Sequence, residues 1–475
     1  MKYLKIILSL LLILNFTVQN VYSQKAKIDN RLGKTQSEEL KEQIGIYPNK
    51  AMTKYISAVG NKLVAQLDSA KFDYHFAILD ESTPNAFALP GGYIYITRGM
   101  IPLLQQEDEL ACILGHEIIH AQNRHGIKKI RRKIIPLVLE IPGNLVGIIL
   151  NQGLGALINA PIEIPDKIIE ATQSRQLESQ ADHQGIILAA KAGYNPNALS
   201  PALGRLSSFI EASTGKAEQR SYFNDHPYTA NRNKRINKLS THLNVADKNS
   251  ISKDFIHEFD GIDYGDNPTK GIIIKSSYID LSHNYRIFFP NSWKIKKEKQ
   301  EVIAFNKSKT ATITCKEASS FNNAKEAGIH FVKELSKGAK RYLRDSKPVV
   351  VNGKSAYLVS MVENNRNKNI YAYSLWMPVG KRIFQIKAIG TQDLLKLVEK
   401  SAASIRPLDK KDKKLITRKR IRIVKSTGNE TIIELSKRTH NYLSPELTGI
   451  INDIDINKSL KKGKEIKIVV EEAYF

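Results

Sequence analysis

Hydrophobic positions along the chain change period several times, and each change predicts an element. Met52, Tyr55, Ile56, Val59 and Leu63 recur at helical spacing within 51–67, and alternation over 72–79 then predicts a strand. The stretch 85–92, Asn-Ala-Phe-Ala-Leu-Pro-Gly-Gly, leads into a second alternating run, Tyr93–Thr97. A helix follows over 106–122, where Glu107, Asp108 and Glu109 put negative charge in the first turn, as the helix dipole favours. Another is predicted over 175–191, stopped by Gly193 and Pro196. Between these two helices, residues 134–165 form apolar stretches broken by Pro136, Pro142 and Gly143 and preceded by the basic run 128–133. They read as a helical hairpin packed on its own domain, with a lid or a membrane-surface patch as the alternatives.

Beyond about residue 270 the texture changes. Short alternating runs at 285–289, 302–305, 312–315, 348–351, 356–361, 371–377 and 382–388 read as strands, and Asn352-Gly353 is a hairpin turn between two of them. Helices expected at 324–343 and 393–404 complete an antiparallel α+β domain. After a charged linker at 409–414, the pattern strand 420–425, helices 432–437 and 445–451, strand 465–470 makes a small βααβ module. The expected division is therefore 1–23, 24–250, a connecting segment 251–270, an α+β domain of unassigned role at 271–405, and the terminal module 408–475.

Composition narrows the class. The 475 residues are enough for two to four domains, and 42% hydrophobic with 25% charged residues fits a globular chain rather than a disordered or multi-spanning one. Only Cys112 and Cys315 are present, far apart, so a disulfide framework or an all-cysteine zinc cluster is excluded. A metal would have to be held by histidines and carboxylates. Residues 1–23 read as a signal peptide: Lys2 and Lys5 precede the apolar run 6–14, and Val21-Tyr22-Ser23 supplies a cleavage site. A retained anchor is the alternative. Export turns the excess of 72 Lys and Arg over 47 Asp and Glu, a net +25, away from nucleic acid and towards anionic envelope surfaces.

The candidate chemistry is concentrated on the two helices. His116-Glu117-Ile118-Ile119-His120 puts both imidazoles on one helix face, able to reach one metal, with Glu117 able to reach a water there. On the second helix Glu178 and Asp182 are again four apart. One can ligate while the other accepts an imidazole N–H and fixes its tautomer. Cys112, one turn before His116, reads as packing, and His125 and His183 as structural or surface groups rather than ligands.

These motifs, together with Asn85–Gly92, Glu107–His120, Ser174–Asp182 and His226-Pro227 with Arg235-Ile236, resemble the gluzincin peptidases. That family comprises the type-1 CAAX prenyl proteases, HtpX and the periplasmic BepA/LoiP-like proteases. The resemblance covers about residues 35–245. It implies an α+β multidomain protein whose zincin-type peptidase domain is mainly helical with a small edge-strand sheet. It further implies one zinc ion on His116, His120 and Glu178, Glu117 as general base, and Asp182 behind a ligand histidine. Asn85 and Ala86 would lie on the edge strand that pairs with substrate. His226 would stand near the metal, either as an oxyanion donor or as a fourth ligand that keeps the enzyme latent.

Two departures matter. The several spans of intramembrane members and the tetratricopeptide repeats of the BepA kind are not found. The terminal module instead resembles LysM, with Gly428-Asn429-Glu430-Thr431 and Leu460-Lys461-Lys462-Gly463 in corresponding places. The implied function is a zinc endopeptidase of the bacterial envelope, exported to the periplasm, acting on misfolded or misassembled envelope polypeptides. Peptidoglycan is a candidate partner of 408–475, and a membrane surface a candidate partner of 134–165. The alternatives are a latched protease-like chaperone or scaffold, and a peptidoglycan-binding protein.

Overall fold

The computed structural model describes residues 26–126, 175–214, 222, 226, 230–243, 255–298, 301–318, 320–335, 340–364, 369–391 and 394–475. The expected signal peptide and the apolar insert 134–165 lie outside the described residues. Two compact units emerge. The first gathers described residues up to 126, those between 175 and 266, and 418–472; the second runs from 267 to 417 with the last three residues.

In the first unit, helix α1 (26–43) and α2 (Lys50–Val64, capped by the Asn49 side chain) precede a three-stranded sheet. Its strands are β1 (His75–Leu79), β2 (Ala86–Leu89) and β3 (Tyr93–Thr97), in the order β1-β3-β2. The β1–β3 pair is parallel and β2–β3 antiparallel, with Phe76 opposite Ile94 and Ala86 opposite Ile96. This leaves β2 as an outer strand. Helices α3 (Glu107–Gln122), α4 (Arg175–Lys191), α5 (Leu199–Thr214) and α6 (Ala230–Ser240) follow in this unit.

Helix α3 is buried on every side from Asp108 to Ala121, as a helix in the middle of a core must be. Its three N-terminal acids satisfy the dipole and also make specific bonds. Glu107 accepts from Tyr194 and Tyr55, Asp108 from the Asn195 N–H, and Glu109 from the Gln105 N–H and the Arg205 guanidinium.

The βααβ order expected at the C-terminus is present as β16 (Thr417–Lys425), α10 (Ile432–Arg438), α11 (Pro445–Asn452) and β17 (Glu465–Ala473). It does not stand apart. Residues 418–472 share the first unit, and strand β4 (Asp263–Tyr264) adds a third strand beside β16. Alternation along β17 explains the attachment: Ile466 and Ile468 pack with Ile432 and Leu435 of the module, whereas Val469 joins the main core of the first unit. Lys467, fully buried on that second face, donates to the carbonyls of Pro102 (2.7 Å) and Leu104 (2.8 Å), just before α3. Burial drives its pKa well below the usual lysine value.

The second unit contains a seven-stranded antiparallel sheet formed by β8 (Lys294–Glu298), β9 (Glu301–Phe305), β10 (Ala311–Glu317), β11 (Leu343–Val351), β12 (Lys354–Asn364), β13 (Asn369–Val379) and β14 (Arg382–Gly390). Their order is β11-β12-β13-β14-β10-β9-β8. Asn352 and Gly353 both take positive φ at the β11–β12 hairpin, as expected. Beside it lies a four-stranded sheet built on β5 (Ile272–Ile274), β6 (Ser277–Asp280), β7 (Tyr285–Phe288) and β15 (Arg406–Pro407).

Two expectations are corrected here. The helix expected over 324–343 ends at Glu334 as α7 (Ala324–Glu334), because Leu343 already pairs with Met361 as β11. The stretch 409–414 is not an open linker. It folds as α9 (Lys410–Lys414), after α8 (Leu395–Ser404), with an Asp409–Asp412 capping box and buried Asp412 held by Arg286 and Arg406.

Candidate metal centre

Helices α3 and α4 cross at their glycines. A Cβ on Gly115 would lie 2.9 Å from the Gly185 carbonyl oxygen, and one on Gly185 would lie 2.8 Å from the His116 nitrogen. Only hydrogen at both positions lets the two backbones touch, and that contact brings the motif histidines against Glu178 and Asp182. Gly185→Ala is therefore expected to push the helices apart, costing about 1–3 kcal/mol of stability and weakening metal uptake. Thermal denaturation and zinc titration of the purified variant check this; wild-type values for both would show the crossing to be slack.

At the crossing, His116, His120, Glu178 and His226 are all buried, with one donor atom of each within 4.8 Å of the others. His116 Nε2 lies 2.9 Å from His120 Nε2 and 3.1 Å from His226 Nδ1. Glu178 Oε2 lies 3.0 Å from His226 Nδ1 and 3.4 Å from His116 Nε2. Glu178 Oε1, 3.5 Å from His120 Nε2, has no hydrogen-bond partner. Three ring nitrogens and a carboxylate facing one point present more lone pairs than shared protons can satisfy, so the set fits a cation. Zinc–nitrogen bonds of about 2.05 Å put the edges of a tetrahedron at about 3.3 Å, close to the separations between these donors. The donor types, three imidazoles and one carboxylate, suit zinc.

The groups behind the donors are equally specific. His116 Nδ1 lies 3.0 Å from Asp182 Oδ1, and Asp182 is gripped by Arg232 through Nε (2.9 Å) and Nη2 (2.8 Å). Burial pushes the Asp182 pKa up, but the Arg232 charge and the His116 N–H hold it down at about 2. Glu178 is likewise kept well below the usual carboxylate range against its own burial, by His226 and His116. Burial lowers His226 to about 4, which leaves its ring neutral, the form in which imidazole ligates a metal. Glu117 is fully buried beside the cluster, with Oε1 3.5 Å from His226 Nε2.

His116, His120, Glu117, Glu178, Asp182 and His226 come together. Asn85 and Ala86 stand at the start of outer strand β2, where the Asn85 N–H donates to Thr97 Oγ1 and its side chain accepts from the Ala86 N–H. Two of the buried residues around the centre, Arg232 and Tyr222, carry no signal in the sequence. The motif arginine is Arg232, which is buried and also donates to the His226 carbonyl (2.9 Å), whereas Arg235 is exposed. Tyr222, fully buried, stacks on the His226 ring at 4.3 Å. Of the two readings for His125 the structural one holds: it is fully buried with Nδ1 3.0 Å from His120 Nδ1. Spacing alone gave no signal for Arg232 or Tyr222, since both reach the centre from beyond α5.

A buried helix bearing His-Glu-x-x-His, with a glutamate from a second helix and His226 beside it, resembles a gluzincin-type metal centre. Residues 50–240 match the model of peptidase family M48. Similar proteins include the mitochondrial metalloendopeptidase OMA1 of Schizosaccharomyces pombe, 30% identical over 214 residues, which are 43% of this chain and 57% of that protein. The beta-barrel assembly-enhancing protease of Yersinia pestis is 30% identical over 161 residues, 33% of each chain. The chain thus spans between a third and somewhat over half the length of these relatives. Among the described residues no helix is long and apolar enough to cross a membrane.

Proposed function

We propose that the chain is a zinc-dependent endopeptidase of the bacterial cell envelope that hydrolyses misfolded or misassembled envelope polypeptides. The convergence of His116, His120, Glu178 and His226 beside buried Glu117 carries this reading. His116, His120 and Glu178 would hold the zinc. When bound, zinc polarises the scissile carbonyl and lowers the pKa of water towards about 7. Glu117 takes the proton from the attacking water on a carboxylate oxygen and returns it to the leaving amine. Asp182, itself fixed by Arg232, keeps the proton of His116 on Nδ1 and so presents Nε2 to the metal. An extended substrate adds to the sheet along β2, starting beside Asn85 and Ala86.

His226 is best read as a latch. Its Nδ1 lies within the donor set and its Nε2 is 3.5 Å from Glu117 Oε1, so in this position it would compete with water for the metal beside the base. The test of the whole reading is cleavage of casein that a chelator stops, stoichiometric zinc restores and Glu117→Gln removes. Envelope placement is supported by the expected signal peptide and by the name of the Yersinia relative.

The terminal module is proposed to be LysM-like and to bind peptidoglycan. Support comes from its βααβ order and from two loops laced together: Leu460 N–H to Glu430 O (2.8 Å), Gly463 N–H to Ser426 O and Ser426 N–H to Lys464 O (2.9 Å each). Lys461, Lys462 and Lys464 are exposed along that rim. The full chain is expected to co-sediment with purified peptidoglycan at moderate salt. Binding that vanishes once the Debye length falls to a few ångströms would reveal charge attraction alone.

A further inference from the structure

The two motif histidines are backed differently. His116 has the charged Asp182 behind it, whereas His120 has a neutral imidazole, His125. One tautomer set satisfies the distances. His120 directs Nε2 to the donor cluster, so its proton sits on Nδ1 and is given to His125 Nδ1 at 3.0 Å. His125 then carries its own proton on Nε2 and donates it to Gln180 Oε1 at 3.1 Å, two residues after Glu178 on α4. His125 thereby ties the two metal-bearing helices together.

His125 reaches this position only because the chain reverses at Arg124, which has a left-handed backbone, φ +56°. For a non-glycine residue that conformation costs about 1 kcal/mol or more and persists only where surroundings impose it. The imposing group is on α1. Arg124 grips both carboxylate oxygens of Asp29, Nη2 to Oδ1 at 2.6 Å and Nε to Oδ2, and Asp29 is fully buried. Helix α1 is itself fixed. Gly33 presses on the Pro90 carbonyl so closely that a Cβ would clash, Ser37 Oγ bonds Tyr95 OH at 2.7 Å, and Leu40 packs with Phe87 and Tyr95.

We propose that Asp29 is a positioning residue for the metal centre: through Arg124 it holds His125 as the acceptor behind His120. The N-terminal helix is then a working part of the site rather than a cover over the sheet. This inference rests on the metal centre read above.

The test uses the full chain with Asp29→Ala, Asp29→Asn, His125→Ala and the double variant Asp29→Ala/His125→Ala. Zinc affinity is read by competition with a chromophoric chelator, ligand geometry by the visible spectrum of the cobalt form, and stability by the melting temperature of the metal-free chain. Asp29→Ala is expected to lose roughly 10–100-fold in zinc affinity, the range for removing such an outer partner, and to shift the cobalt bands. His125→Ala should match it, and the double variant should be no worse than the weaker single one. Asp29→Asn keeps an acceptor oxygen for Arg124, should lose less, and gives the readout if the alanine variant does not fold. A lower melting temperature with zinc affinity and cobalt spectrum unchanged would overturn the proposal, as would losses that multiply in the double variant. A wild-type chain that takes up no zinc would instead remove the metal centre, and this inference with it.

Discussion

Glu117→Gln is expected to keep its zinc and to lose about 10²–10⁴-fold in peptide-bond hydrolysis, the usual worth of a positioned general base. Glutamine matches glutamate in volume, so the fully buried site beside His226 need not repack. Glu117 is not one of the four clustered donors, so its neutralisation leaves the ligand set intact. What disappears is an oxygen able to take a proton from water. Casein turnover measured beside zinc content by atomic emission checks both halves. Retained turnover would place the base elsewhere. Lost zinc would make Glu117 a structural partner of the metal, and a wild type that binds zinc without Glu117-dependent cleavage would favour the scaffold reading.

The second large effect is expected in His226→Ala, and its sign distinguishes two mechanisms. As a latch, His226 holds the fourth corner, so alanine should bind zinc more weakly yet cleave unfolded substrate faster, by about tenfold if the latched state is favoured by about 1.4 kcal/mol. As an oxyanion donor, its removal would slow turnover by about 10²–10³-fold. The geometry favours the latch, because Nδ1 lies 3.1 Å from His116 Nε2 and 3.0 Å from Glu178 Oε2, inside the donor set. The ring is also held there deliberately: Tyr222 stacks on it and Arg232 ties its carbonyl to Asp182. Initial rates and chelator competition on the same preparation settle the sign.

Much of this centre was legible because its parts obey short-range rules. Four-residue spacing on α3 and α4 places His116 with His120 and Glu178 with Asp182 whatever else the chain does. Strand alternation and the Asn352-Gly353 turn likewise located most of the second unit's sheet, because both patterns act between near neighbours. The failures share the opposite property. Whether His125 is structural or a surface group stays open in the sequence because its role depends on Asp29, reached through Arg124 from 95 residues away. Arg232 was passed over for Arg235 because only the crossing of α6 with α4 decides which arginine turns inward.

By itself, then, the sequence determined the two motif-bearing helices, most of the second unit's strands, the metal-binding residue types and the βααβ order of the C-terminus, since periodicity and i,i+4 geometry need no long-range information. The tertiary structure alone decided how these meet. It set the distance between α3 and α4 through two glycines, and it turned a lysine in the last strand inward onto the Pro102 and Leu104 carbonyls. It also placed most of the C-terminal module, residues 418–472, within the first unit. The physical reason is the same in each case. A buried polar group is tolerated only where a distant partner satisfies it, and which partner arrives is fixed by packing of the whole unit rather than by neighbours in the chain.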